Sequence, residues 1–195
     1  MTLRRIGAYI IDYILVFLFL TMLLQIRFLN PNYEEYASAS NKVQAIIDKA
    51  VEEKDIGFNE SDEYKEASYN LQKNSIVPSI LTLLVYVGYY CVFAIATHGQ
   101  TLGKKLFRIK IANNKEEKLR WYQVVIREVI LYNILFQGIL LIVLVWASKE
   151  VYFLISGYTN LIATIIFYSS LLMLILKKDK RTIHDLISNT KVIEE

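Results

Sequence analysis

Four long apolar stretches set the pattern of the chain: Ile6 to Ile26, Ile76 to Thr97, Val129 to Ser148 and Val151 to Leu176. Asp12 interrupts the first; the other three carry no charge. About 20 apolar residues cross the hydrocarbon core of a bilayer, so each stretch is long enough for one span. The fourth would be about 39 Å long at 1.5 Å per residue, and must tilt, kink or run past the interface. Backbone amides find no water in lipid, so the spans are predicted to be helices.

The connections have patterns of their own. In the long segment 27–75, Val43, Ile46, Ile47, Ala50 and Val51 recur at helical spacing, with Asn41 as the expected cap. Gly57-Phe58-Asn59 breaks that pattern, and Ser61 can cap a second segment carrying Tyr64, Ala67 and Leu71. A small helical hairpin is expected; a solvated spacer whose weak apolar stripe rests on the membrane is the alternative. Between the second and third stretches, Phe107, Ile109 and Ile111 alternate with Arg108 and Lys110 up to Asn113-Asn114. That period of two predicts a short strand ending in a turn.

Composition agrees with this pattern. Of the 195 residues 54% are hydrophobic and 21% charged, which excludes disorder and fits one integral membrane domain, 1–195. The single cysteine, Cys91, cannot form an internal disulfide. Charge then orients the helices. Segment 27–75 holds 6 basic and 10 acidic residues. Arg4 and Arg5 precede the first stretch, seven lysines and arginines from Lys104 to Arg120 separate the second from the third, and Lys177, Lys178, Lys180 and Arg181 follow the fourth. By the positive-inside rule the expected fold is all-α, with four transmembrane helices, both termini cytoplasmic and an acidic extracytoplasmic loop. Trp121, Tyr122 and Trp146 stand near stretch ends, where amphipathic rings favour the interface. Reading the N-terminus as a signal peptide is disfavoured: Asp12 interrupts its apolar region, and the nearest small-residue cleavage pattern, Ala37-Ser38-Ala39, is far downstream. The expected partners are the lipid bilayer, anionic lipids at the basic loop, and further copies or other subunits, because four helices enclose little space. Nucleic acid is not expected.

Candidate chemistry is concentrated in a few charges. A carboxylate in an apolar helix is costly and faces the protein interior or water, so Asp12 stands out. Arg5, Ala8 and Asp12 lie on one helical face. Arg127, next to Glu128, enters from the same side to similar depth, so an Asp12–Arg127 pair is one expectation; an Arg127 that snorkels to the interface is the other. Asn133 and Gln137, and Ser156, Asn160 and Thr164, form polar stripes that favour helix packing over a solute path. His98 and His184 are isolated and make a poor metal site. Gly99-Gln100-Thr101-Leu102-Gly103-Lys104 fails as a phosphate loop: its glycines are too close, and no Ser or Thr follows the lysine. No hydrolase, zinc-protease or redox motif is present, so neither an enzyme nor a cofactor is expected.

Three blocks resemble the RDD family of small, mostly bacterial membrane proteins. Arg5-Ile6-Gly7-Ala8-Tyr9-Ile10-Ile11-Asp12 is similar to the family's opening block, Gly99 to Lys104 to its Gly-Gln-Thr-x-Gly-Lys block, and Arg181 to Val192, with His184-Asp185, to its closing block. The resemblance implies that Arg5, Asp12 and Asp185 are the naming residues. It implies a cell-membrane protein, and it raises transport, including exchange of monovalent cations for protons. On that expectation Asp12 takes a proton or a cation, Arg127 tunes its charge, and Arg5 with Asp185 forms a gate. The competing expectation is a non-transporting accessory or scaffold whose charges lock the helices. The long acidic loop departs from the family, where a short connection is more usual.

Overall fold

The computed structural model describes residues 1–195. Helix α1 (Thr2–Leu24) buries only Ala8, Asp12, Val16 and Leu20. Their spacing of four puts them on one stripe, flanked by half-buried Arg5 and Tyr9, and the opposite face points outward. After a turn at Arg27–Leu29, α2 (Tyr33–Glu53) and α3 (Asp62–Asn74) pack as an antiparallel hairpin around Val43, Ala50 and Ala67. The Ser61 cap is present, its hydroxyl accepting from Tyr64 N at 3.2 Å. The Asn41 cap is not: α2 starts eight residues earlier, at Tyr33, and Asn41 lies exposed within it. Glu34 and Glu35 in the first turn favour that earlier start by complementing the positive end of the helix.

The second apolar stretch is one helix, Ile76–Ala96. It comprises α4 (Ile76–Tyr86), a π-helical segment at Val87–Phe93 and α5 (Ala94–Ala96). The wider π turn shifts the phase of the helix, so that both Tyr90 and Cys91 are buried and Tyr89 also reaches α1. Tyr90 stacks on Tyr132 with ring centroids 3.4 Å apart, and both join Val16, Leu20, Cys91 and Ile134 in the main apolar core.

The third stretch differs from its expected course. Instead of one helix from Val129, α7 (Trp121–Leu131) and α8 (Ile134–Trp146) meet at a 67° bend. Asn133 makes the break in the left-handed region, φ 57°, which asparagine tolerates better than most residues. The bend lets α7 bury Gln123, Val124, Arg127 and Glu128 at one end of the molecule while α8 runs back along α4 and α9. It also takes Asn133 out of any stripe with Gln137. Helix α9 (Lys149–Leu176) covers the fourth stretch. Asn160 and Thr164 lie on its exposed face.

Three helices are long and apolar enough to cross a membrane, or four when the bent pair is taken as one span. At one end, here the polar end, sit α6 (Leu102–Leu106), β1 (Ile109–Asn113), α10 (Ile183–Ile187) and β2 (Thr190–Glu194). The strand expected at Ile109–Ile111 is there. Its antiparallel partner is the far end of the chain, Ile111 opposite Val192 and Asn113 opposite Thr190. Ile109, Ile111 and Asn113 point inward. Gly99 lets the chain turn from α5 towards β1: its φ is 92°, and a Cβ there would lie 2.7 Å from the Ile111 carbonyl.

Candidate functional site

Asp12 reaches the polar end from the second turn of the α1 stripe, and α6 is built against it. Thr101 caps α6, its hydroxyl accepting from Lys104 N at 3.4 Å. Gly103 N donates to Asp12 Oδ1 at 2.7 Å, Tyr89 Oη donates to the same oxygen at 2.6 Å, and Thr101 Oγ1 donates to Oδ2. The carboxylate therefore closes the amino end of α6, where free N–H groups and the helix dipole favour negative charge. Gly103 is needed for this approach. A Cβ on it would collide with the Ala8 carbonyl and stand 2.8 Å from Asp12 Cγ. Asp12 is completely buried and makes no ion pair.

Arg127 is not its partner. Arg127 donates through Nε to Asp185 Oδ1 at 2.9 Å and through Nη1 to Glu128 Oε1 at 2.7 Å. With 2% exposure it does not snorkel either. The α7 geometry decides this: Arg127 projects toward α10, whereas α6 and the π segment occupy the space beside Asp12. Arg5 meets Asp185 Oδ2 at 2.6 Å and also donates to the Lys180 carbonyl. Lys104 Nζ lies 2.6 Å from Glu128 Oε1. A connected set of buried charges thus ties α1, α6, α7 and α10 together, and Asp12 adjoins it through the short helix that carries Lys104.

The closing block folds to present Asp185. Thr182 and Asp185 form a capping box at α10: Thr182 N donates to Asp185 Oδ2 at 3.2 Å and its hydroxyl to the same oxygen at 2.9 Å. Burial alone would raise the Asp185 pKa, but the Arg127 and Arg5 guanidiniums outweigh it and hold the carboxyl well below the usual range. His184 lies against Thr182 Oγ1 at 2.7 Å; burial, with Arg127 adding to it, lowers its pKa to about 3, so the ring is neutral at pH 7. Burial also pulls Lys104 below the usual lysine range, against the opposing pull of Glu128. The remaining motif residue, Gln100, donates to Glu195 Oε2 at 2.7 Å and the Ile109 carbonyl at 3.3 Å, fastening the β1–β2 ribbon.

Most of this cluster lies among the candidate residues and blocks of the sequence; Tyr89, the Thr182–Asp185 cap and the Lys104–Glu128 pair do not follow from it. A tyrosine inside a span needs a partner for its hydroxyl, which was the available signal for Tyr89. No three of histidine, cysteine, aspartate and glutamate converge as a metal site. One buried oxygen in the network, Glu128 Oε2, has no hydrogen-bond partner.

The fold and site define a helical membrane protein whose spans are closed at one end by a buried charge network. The RDD family profile matches residues 2–189, and the chain belongs to the RDD family. No curated protein and no solved structure matches it.

Proposed function

We propose that this RDD protein is a small membrane transporter, or a subunit of one, that exchanges a monovalent cation bound at Glu128 for a proton carried by Lys104. The observation that carries this reading is the free Oε2 of Glu128 in a network whose other carboxylates are fully engaged. Asp12, held by Tyr89, Thr101 and Gly103, is the helix lock rather than the carrier. A cation at Glu128 would sit beside the Lys104 ammonium, and two like charges at that distance repel. Lys104, already destabilised as a cation by burial, releases one proton as the cation binds, and regains it as the cation leaves. The exchange is one for one and leaves the charge of the site unchanged.

The topology proposed with it has four spans and both termini cytoplasmic. The Arg5–Asp185 contact supports an even number of crossings, since it joins the start of α1 to the segment after α9. The α7–α8 pair then counts as one bent crossing, and the acidic hairpin lies outside.

Purified protein reconstituted in sealed liposomes with an internal pH dye tests the reading. An inward gradient of Na⁺ or K⁺ should drive proton efflux. Glu128→Gln should abolish it, while folded Asp12→Asn should retain it. Flux lost in Asp12→Asn but kept in Glu128→Gln would return the role to Asp12. Absence of flux across the alkali cations and pH 6–9 would leave the second reading, a non-transporting accessory or scaffold protein. Complete satisfaction of Asp12 and Asp185, the pattern of a structural lock, is the observation that favours it.

A further inference from the structure

A second feature of the polar end shares Lys104 with the exchange reading but does not depend on exchange. Helix α1 packs on α4 and α6, whereas α9 packs on α8 and α10. Between α1 and α9 a cavity of about 300 Å³ opens. Its walls are apolar, formed by Ile6, Ile10, Leu131, Phe167, Leu171 and Leu174. Ile10 and Phe167 are each 49% exposed on the outer surface of their helices, so the mouth faces the hydrocarbon of the membrane. The Thr2 hydroxyl donates to the Leu174 carbonyl at 3.4 Å and joins the two helices near their ends at the polar side.

The depth of the cavity is cationic. Arg5, Lys104 and Arg127 line it, and none of the carboxylates they pair with does. The ion-paired set contains these three cations and two carboxylates, Glu128 and Asp185. Asp12 balances the third cation through space but offers it no acceptor, because its oxygens are taken by a tyrosine, a threonine and a backbone amide. Cationic N–H donors left without an acceptor in a buried site are costly, and a bound anion would satisfy them. Donors are available for one. Arg127 makes its hydrogen bonds through Nε and Nη1 and Arg5 through its two terminal nitrogens, leaving Nη2 of Arg127 and Nε of Arg5; Lys104 makes one bond of the three its ammonium can make. On the opposite wall Ser170, 8% exposed, has a buried hydroxyl with no partner.

We infer that this cavity is a binding site for an anionic membrane lipid. The phosphate accepts from Arg127, Arg5, Lys104 and Ser170, and an acyl chain leaves between Ile10 and Phe167 into the bilayer. Apolar walls and a mouth toward the hydrocarbon favour an amphiphile over a free phosphate ion, and basic pockets between transmembrane helices are a known mode of headgroup recognition.

Native mass spectrometry of the detergent-purified protein, titrated with phosphatidylglycerol or with phosphatidylcholine of the same chains, tests the inference. One phosphatidylglycerol should be retained about tenfold more strongly than phosphatidylcholine. Ser170→Phe, which fills the cavity without touching an ion pair, should remove that preference. A photoactivatable phosphatidylglycerol should crosslink to α1 and α9 in the unaltered protein, a readout that holds even if the variant does not fold. Millimolar inorganic phosphate should not displace the lipid. Equal retention of the two lipids, a preference that survives in folded Ser170→Phe, crosslinks confined to other helices, or displacement by phosphate would each overturn the assignment.

Discussion

The two ends of the molecule use the same residue types under opposite conditions. Beside the α2–α3 hairpin, Arg27 of the preceding turn and Glu34 pair at 2.8 Å with side chains 88% and 78% exposed. At the polar end, Arg127 and Asp185 pair at 2.9 Å with 3% and 0% exposed. The distances are alike; the surroundings differ. Water and salt screen the first pair, so it contributes little, whereas removing one partner of the second unbalances a buried charge network in a low dielectric. Formal charge per segment is thus a poor guide to where charge matters. The acidic loop holds ten acidic residues, yet the few carboxylates at the other end organise the fold.

The largest effects are expected where the contrast is sharpest. Arg127→Gln and Asp185→Asn should each cost about 3–5 kcal/mol in chemical unfolding in detergent. The double variant should lose less than the sum, because both single changes remove the same Arg127–Asp185 contact. Strict additivity would mean that the two groups do not meet. Gly103→Ala comes next. Its Cβ would strike the Ala8 backbone and the Asp12 carboxylate, and a close-packed contact of this kind typically costs about 1–3 kcal/mol, seen as a lower unfolding midpoint. A normal midpoint would show that α6 can move away from α1.

Acid should act on the polar end before the hairpin. With the His184 pKa lowered to about 3, the unfolded chain binds the extra proton first. Stability from this group is complete above the ordinary histidine pKa and falls as pH drops from about 6.5 toward 3. Asp185, also depressed, adds a further loss as pH falls below the ordinary aspartate value. Thermal unfolding against pH should therefore decline below about pH 6.5, and His184→Gln should flatten the upper part of that decline. The smallest effect is expected at the hairpin. Glu66→Gln breaks the 2.7 Å contact with Lys149 but should leave the unfolding midpoint essentially unchanged. Replacing residues 31–74 with a short Gly/Ser linker should leave the protein in the membrane fraction; failure to accumulate would make the hairpin part of the core.

Much of the architecture was readable from short-range pattern. The apolar stretches became α1, the Ile76–Ala96 helix and α9, the alternation around Ile109 became β1, and Ser61 capped α3. Each depends on the periodicity of a few neighbouring residues. The third stretch was misread because apolar length carries no record of a bend. Asn133 looked like one more polar residue on a helix, and only the need to turn α7 toward α10 and α8 toward α9 makes it the break.

For the site, the sequence alone determined the inventory: Arg5, Asp12, Lys104, Arg127, Glu128 and Asp185 all lie at edges of apolar stretches or in recurring blocks, where a charge is expensive enough to need a reason. The partners came from the tertiary structure. Asp12 bonds to groups 77 to 91 positions away, and Arg5 to Asp185 across 180. At such separations pairing depends on how helices cross and on which side chains share a depth, which no local period encodes. A π turn in the second apolar helix and a 67° bend in the third, neither visible as a break in hydropathy, assign Tyr89 to Asp12 and Arg127 to Asp185.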